Sequence, residues 1–265
     1  MGGQTDYTCH DAEEHRISKT FCISKTATKK VENGRRPKSG KSSLDNFHLV
    51  IDMDTEKIIS SNLFSSLQRL GANGYSIKFL AKVINSHIDR ACRNLNYLED
   101  TLGEIKPIIE SGKIGRYEEF ILANMLKKVV CSTDLSRIHQ NEERSAEFAA
   151  TELSLLGIPK SSIERVYGLI LSTKPGRIPS NREERYMVDV DGAIFGKSPA
   201  VFARSEDALM QEHKDIPPRV YLQLRMNFLK SAPAMLYFTP EFQMQEPQAH
   251  ENIEHRIAEI SRVLK

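Results

Sequence analysis

The chain has 265 residues, 40% of them apolar, and a formal net charge of +2. That is enough apolar content for one sizeable core, and the near-neutral balance offers no bulk argument for nucleic-acid binding. No apolar run approaches the ~18 residues that a membrane span needs, so no membrane partner is expected. The start is polar and then acidic, from Asp11 to Glu14, which does not read as a secretory leader. Gly2 is followed by Asp6, where an acylation signal needs Ser or Thr, so no lipid anchor is expected either. Cys9, Cys22, Cys92 and Cys131 form no CxxC and no zinc spacing. They read as reduced thiols of a cytoplasmic protein.

Residues 1–45 are rich in Ser, Thr, Lys and Gly, with apolar residues scattered without period, and read as a disordered extension. Between Arg16 and Lys41 there are nine Lys or Arg and one acid, Glu32. Such a run is either a solvated tail or a nuclear-import, RNA or acidic-partner contact. Residues 46–265 read as one domain. "FHLVID" (47–52) has the look of a short strand without a partner. From Asn62 the signal is helical. "NLFSSLQRL" spaces Leu63, Phe64, Leu67 and Leu70 on a helix that ends at Gly71. "YSIKFLAKVINSHIDRACRNLNYLEDTL" carries one long apolar stripe through Phe79, Val83, Ile84, Ile88, Ala91 and Leu95. "RYEEFILANMLKKVV" aligns Phe120, Ile121, Ala123, Met125 and Val129, with Lys127 and Lys128 inside an apolar run.

The next helix opens at Asn141 and carries Ala146, Ala149, Leu153 and Leu156, stopping at Gly157 with Pro159 beyond. Asn141 has the chemistry of an N-cap, and Glu142 and Glu143 suit the positive end of the helix dipole. In "SSIERVYGLILST", Ser162 is the expected cap and Ile163, Val166, Tyr167 and Ile170 the buried face. "PPRVYLQLRMNFLK" starts on proline and aligns Tyr221, Leu224 and Phe228, and the last helix aligns Ile253, Ile257, Ile260 and Leu264. No alternating pattern competes, so the expected fold class is all-α.

Six stretches recur in order: "NEERSAEFAATELSLLG", "LILSTK", "DVDGAIFG", "FLK", "LYFTPEF" and "EPQAHENI". Together they resemble the family of predicted metal-dependent HD-superfamily phosphohydrolases, from about Tyr75 to the C-terminus. The resemblance implies a helical HD-domain bundle. In it a histidine, a His-Asp doublet and a later aspartate hold a divalent metal that activates water. Carried over by residue, Tyr75 matches the first family tyrosine. His87 matches one of two histidines, and Val83 stands where the other belongs. The His-Asp doublet falls on Lys127-Lys128, and the Thr-Lys-His on Thr173-Lys174-Pro175. Asp189 and Asp191 keep the Asp-x-Asp, and Arg225 keeps the family arginine. His139 is a weaker substitute ligand. The protein's His-Asp pair, His10-Asp11, lies in the N-terminal extension.

His87, Asp189 and Asp191 are thus the remnant metal candidates, and metal sites want at least three ligands. Two ammonium groups would repel a cation, so no cofactor is expected. The expectation is a degenerate HD-domain pseudoenzyme that binds or regulates. An anion such as the phosphate of a small molecule would be held by Lys127, Lys128, Lys174 and Arg225. A lysine of the doublet should pair with Asp189 or Asp191, since a buried carboxylate without a partner is costly. The alternatives are an active metal-dependent phosphohydrolase with an unusual ligand set, and a scaffold that grips RNA or an acidic partner through residues 16–41. The bland readings stand beside these: His87 on a polar helix edge, Asp189 and Asp191 capping turns, and both lysines in solvent.

Overall fold

The computed structural model describes residues 53–265 apart from 74, 75, 88, 89, 133, 135 and 234. The basic run 16–41, the "FHLVID" stretch, the His10-Asp11 pair, Cys9, Cys22, Tyr75 and Ile88 lie outside the described residues. Those described are all-α, with no strand among them.

In chain order the α-helices are α1 (Met53–Arg69), α2 (Ser76–Asn85), α3 (Leu95–Glu110), α4 (Tyr117–Leu126), α5 (Asn141–Leu155), α6 (Lys160–Ser172), α7 (Arg182–Gly192), α8 (Pro199–Glu212), α9 (Pro218–Lys230), α10 (Pro240–Gln243) and α11 (Glu246–Leu264). Two 3-10 turns, Ile138–Gln140 and Ala193–Gly196, precede α5 and follow α7. The main core draws on α1 to α7. Its fully buried centre includes Leu63, Leu67, Val83, Leu98, Phe120, Leu122, Met125, Ala149 and Leu153. α4 is apolar on every side and runs through the middle, as expected of a central helix. A second, smaller core joins Ile216, Tyr221, Leu222, Leu229, Ile253 and Ile260 between α9 and α11, and Phe195 and Leu236 pack against both.

Several helix limits differ from the periodic reading. α1 begins at least nine residues before Asn62. The long stripe is not one helix: the chain leaves helical geometry after Asn85 and re-enters at Leu95, where Asn94 Oδ1 accepts the Tyr97 N–H (3.1 Å) as a true N-cap. Asn141 does not cap α5. It is the first helical residue, and its amide pairs with the Ser132 backbone in both directions. Ser162 is not a cap either. It lies inside the first turn of α6, after Pro159, and its hydroxyl donates to buried Glu119 (3.0 Å). On α9 the buried face is Tyr221, Leu222 and Leu229, whereas Leu224 and Phe228 are each 44% exposed. Phe64 of α1 is exposed as well.

The C-terminal stop of α5 is as read. Gly157 adopts φ +75°, its N–H donates to Ser154 O, and the Ile158 N–H donates to Leu153 O. Asn73 then docks its backbone N–H on Leu156 O (2.9 Å), which ties the α1–α2 connection to this end. Gly157→Ala places a Cβ on a left-handed backbone, 3.4 Å from the Asn73 amide nitrogen. The substitution is expected to cost about 1 kcal/mol, read as a lowered urea midpoint with an unchanged slope.

Candidate functional site

α4 ends at Leu126. Lys127 closes the last turn through its N–H to Ala123 O, and Lys128 follows in the turn. The doublet therefore stands at a helix C-terminus, not in mid-helix, where the carbonyl end of the dipole favours cations. The segment after it is pinned to α5 by two polar side chains of the "NEERS" stretch. Ser145 bonds the Val130 backbone (N–H 3.1 Å, carbonyl 3.2 Å), and Asn141 bonds Ser132.

Both ammonium groups meet one carboxylate. Lys127 Nζ lies 3.4 Å from Asp191 Oδ1, and Lys128 Nζ lies 3.3 Å from Asp191 Oδ2. Lys128 also reaches Glu142 (3.3 Å), and Lys127 donates to Asn124 Oδ1. The Lys127 side chain is 0% exposed and that of Asp191 21%. Burial pushes the Asp191 carboxyl up, but Lys128, Lys127 and Arg93 outweigh it and bring it down to about 2. Burial lowers the Lys127 ammonium to about 8, against the pull of Asp191. Lys128 loses to burial but gains more from Asp191 and Glu142, and ends raised.

The other residues named from the sequence do not join this cluster. Asp189, wholly buried, accepts the backbone N–H groups of Phe238 and Thr239 (2.8 Å each) and the Thr239 hydroxyl, and so fastens the "LYFTPEF" stretch to α7. Lys174 pairs with Glu143 at the surface. Arg225 pairs with Glu206, which Arg256 shares, and stacks over Phe228 (4.9 Å) and Phe195 (5.9 Å). His139 is exposed, beside Gln140. His87 is not on a polar edge: it is fully buried. Its Nδ1 contacts Val83 O (3.0 Å) and Ser86 Oγ (2.8 Å), while Nε2 has no hydrogen-bond partner among the described residues. Burial lowers the imidazole to about 4, which leaves it neutral at pH 7.

The periodic reading missed a second hub. Glu212, the last residue of α8, receives the chain between α2 and α3. Its Oε2 accepts the N–H groups of Cys92 and Arg93 (3.1 Å each). Its Oε1 accepts from Arg90 Nη2 (2.9 Å) and Nε (3.3 Å), from Arg93 Nη1 (3.4 Å) and from the Cys131 thiol (3.4 Å). Burial raises this carboxyl, Arg93 and Arg90 more than reverse it, and it falls to about 2. Arg90 also donates to Lys128 O, which joins the two hubs. The only signal in the sequence is the Arg90/Arg93 pair, and nothing local connects it with a glutamate 120 positions on.

The divalent metal implied by the resemblance does not fit these side chains. Each oxygen of Asp191 faces an ammonium group, and both oxygens of Asp189 are taken by the Phe238–Thr239 turn. Among the described residues no three His, Cys, Asp or Glu side chains stand together as a ligand set. Comparison of the chain with family profiles, with curated proteins and with solved structures found no match.

Asp191→Asn leaves the buried Lys127 ammonium and the partly buried Lys128 ammonium facing a neutral amide and is expected to destabilise by about 3 kcal/mol. Lys127→Met, which leaves the Lys128–Asp191 pair in place, costs less, and urea unfolding ranks the two. The native carboxyls of Asp191 and Glu212 stay near 2 against ordinary values of 3.8 and 4.5. The unfolded chain therefore binds more protons in this window, and stability falls as pH drops from 4.5 towards 2. Lys127 gives a window at the alkaline end. Its native value of about 8 lies below the ordinary 10.5, so its unfavourable contribution is relieved as pH rises between them. Lys127→Met removes that alkaline gain.

Proposed function

We propose that the chain is a degenerate relative of the HD-superfamily phosphohydrolases that acts by binding and not by metal-assisted hydrolysis. The observation that carries this reading is the pair of contacts from Lys127 and Lys128 to Asp191. A metal site draws its power from uncompensated carboxylate and imidazole donors, which lower the pKa of a bound water. Here the carboxylate is neutralised by the protein's own cations, at the positions where the resemblance places the His-Asp doublet. Lys127 is also too deeply buried to meet a ligand, and Lys128 is committed to two carboxylates. The doublet thus fills the former metal position without turning it into a phosphate site. Lys174 and Arg225 each have a carboxylate of their own and lie on other elements.

The basic stretch from Arg16 to Lys41, nine cations to one acid, supports a second contact, with RNA or an acidic protein. Such a contact depends steeply on salt, and deleting residues 1–45 is expected to remove that dependence.

The main reading is tested on the purified full chain. Elemental analysis after dialysis against excess Mg²⁺ and Mn²⁺ is expected to find no stoichiometric metal, and p-nitrophenyl phosphate is expected to remain unhydrolysed with either ion. One tightly held equivalent of metal per chain, with phosphatase activity that a chelator removes, overturns it.

A further inference from the structure

A cleft of about 450 Å³ opens beside the Glu212 hub, lined by Arg90, Cys131, Gln211, Glu212 and Lys214 among others. That volume is within the range of small-molecule sites. Its chemistry is lopsided. Glu212 is saturated by six donors and its charge is shared between two guanidinium groups. The same network continues through Lys128 O into the lysine pair on Asp191. The described side chains joined by these contacts are four cations, Arg90, Arg93, Lys127 and Lys128, and three carboxylates, Glu212, Asp191 and Glu142. Four against three leaves one positive charge in excess within the network, in a partly desolvated setting where charges interact strongly. Lys214, exposed on the rim of the cleft beside exposed Asp215 and in no ion pair among the described residues, adds a further cation there.

Donors remain on the residues that line the cleft. A guanidinium carries five N–H groups, and Arg90 uses three of them, on Glu212 and Lys128 O. The free N–H groups of Arg90, the Lys214 ammonium and the Gln211 amide can converge on one anion. Glu212 accepts from Arg90 Nε and Nη2, which fixes the orientation of the fork.

We propose that this cleft binds the phosphate group of a small phosphorylated molecule, seated on Arg90 and Lys214. A tetrahedral dianion can accept from both the guanidinium and the ammonium group, whereas a planar monocarboxylate carries half its charge. The proposal requires neither HD ancestry nor a lost metal, so phosphate binding here and metal content at Asp191 succeed or fail separately.

The test uses the full chain at constant ionic strength, titrated with inorganic phosphate, with glycerol 3-phosphate as a phosphomonoester, and with acetate. Backbone amide NMR shifts or calorimetry provide the readout. Saturable binding of both phosphate probes is expected below about 10 mM, with acetate at least about tenfold weaker. Tighter binding of glycerol 3-phosphate than of inorganic phosphate identifies an organic phosphate as the ligand, and the reverse order identifies the free ion. Lys214→Glu is expected to weaken phosphate binding at least about tenfold. Gln211→Glu, on the same rim, is expected to act in the same direction. Lys160→Glu, a charge reversal at an 89% exposed side chain on α6, leaves binding unchanged. Equal losses in Lys214→Glu and Lys160→Glu reduce the effect to overall charge and overturn the site. So does acetate binding as tightly as phosphate, or the absence of saturation by any probe.

Discussion

The structure depends on a carboxylate that is outnumbered. Asp191 stands near the end of α7, and two lysines from the end of α4 close on it. Lys127, whose side chain is wholly enclosed, would be strongly destabilising without a counter-charge, and the partly enclosed Asp191 would be costly without a cation. Each makes the other tolerable. The third charge, Lys128, brings Glu142 from α5 into the arrangement, so three helices meet through one polar cluster. Hydrophobic burial around Leu122 and Met125 positions the helix, but it cannot choose the rotation that sends Lys127 inward. The partner on α7 makes that choice.

The "NEERS" stretch has a structural explanation that capping alone does not supply. Asn141 and Ser145 hold the backbone at Ser132 and Val130, Glu142 holds Lys128, and Glu143 holds Lys174. Three of its five residues fasten the stretch 128–132 to the start of α5, and a fourth, Glu143, reaches Lys174 after α6. The negative charges still sit where the dipole favours them, so local and long-range preferences agree. Glu212 plays the matching part at the end of α8. It gathers the backbone and side chains of residues 90–93 and thereby interrupts what the apolar stripe presents as a continuous helix.

The division between what was legible and what was not follows from distance along the chain. Helix type, the stop at Gly157 and the proline start of α9 rest on neighbours within a turn or two, and local patterns find them. The lysine contact to Asp191 was legible only because motif order aligned positions 64 and 63 residues apart. The Asp189 contact with Phe238 and Thr239 joins two recognised stretches, yet neither stretch says that it receives the other. Arg90, Arg93 and Glu212 were illegible, since a glutamate in "MQEHK" looks like any exposed helix residue. His87 was misread for a related reason. Its neighbours Ser86 and Arg90 are polar, and its burial comes from packing that the local sequence does not encode.

The two hubs are electrically joined. Formal charge is nearly balanced over 265 residues, so any local excess must be offset elsewhere. Arg90 carries the coupling: its guanidinium touches Glu212 on one side and the Lys128 carbonyl on the other. The lysine pair on Asp191 therefore adds its charge to the field felt across the α2–α3 connection. In a low-dielectric network such charges are not private to their nearest partner. Arg90, Arg93, Lys127 and Lys128 bring four positive charges to the two hubs, against the three carboxylates Asp191, Glu142 and Glu212. The fold balances most of that charge internally, and what is left over adds to Lys214 on the rim of the cleft beside Glu212.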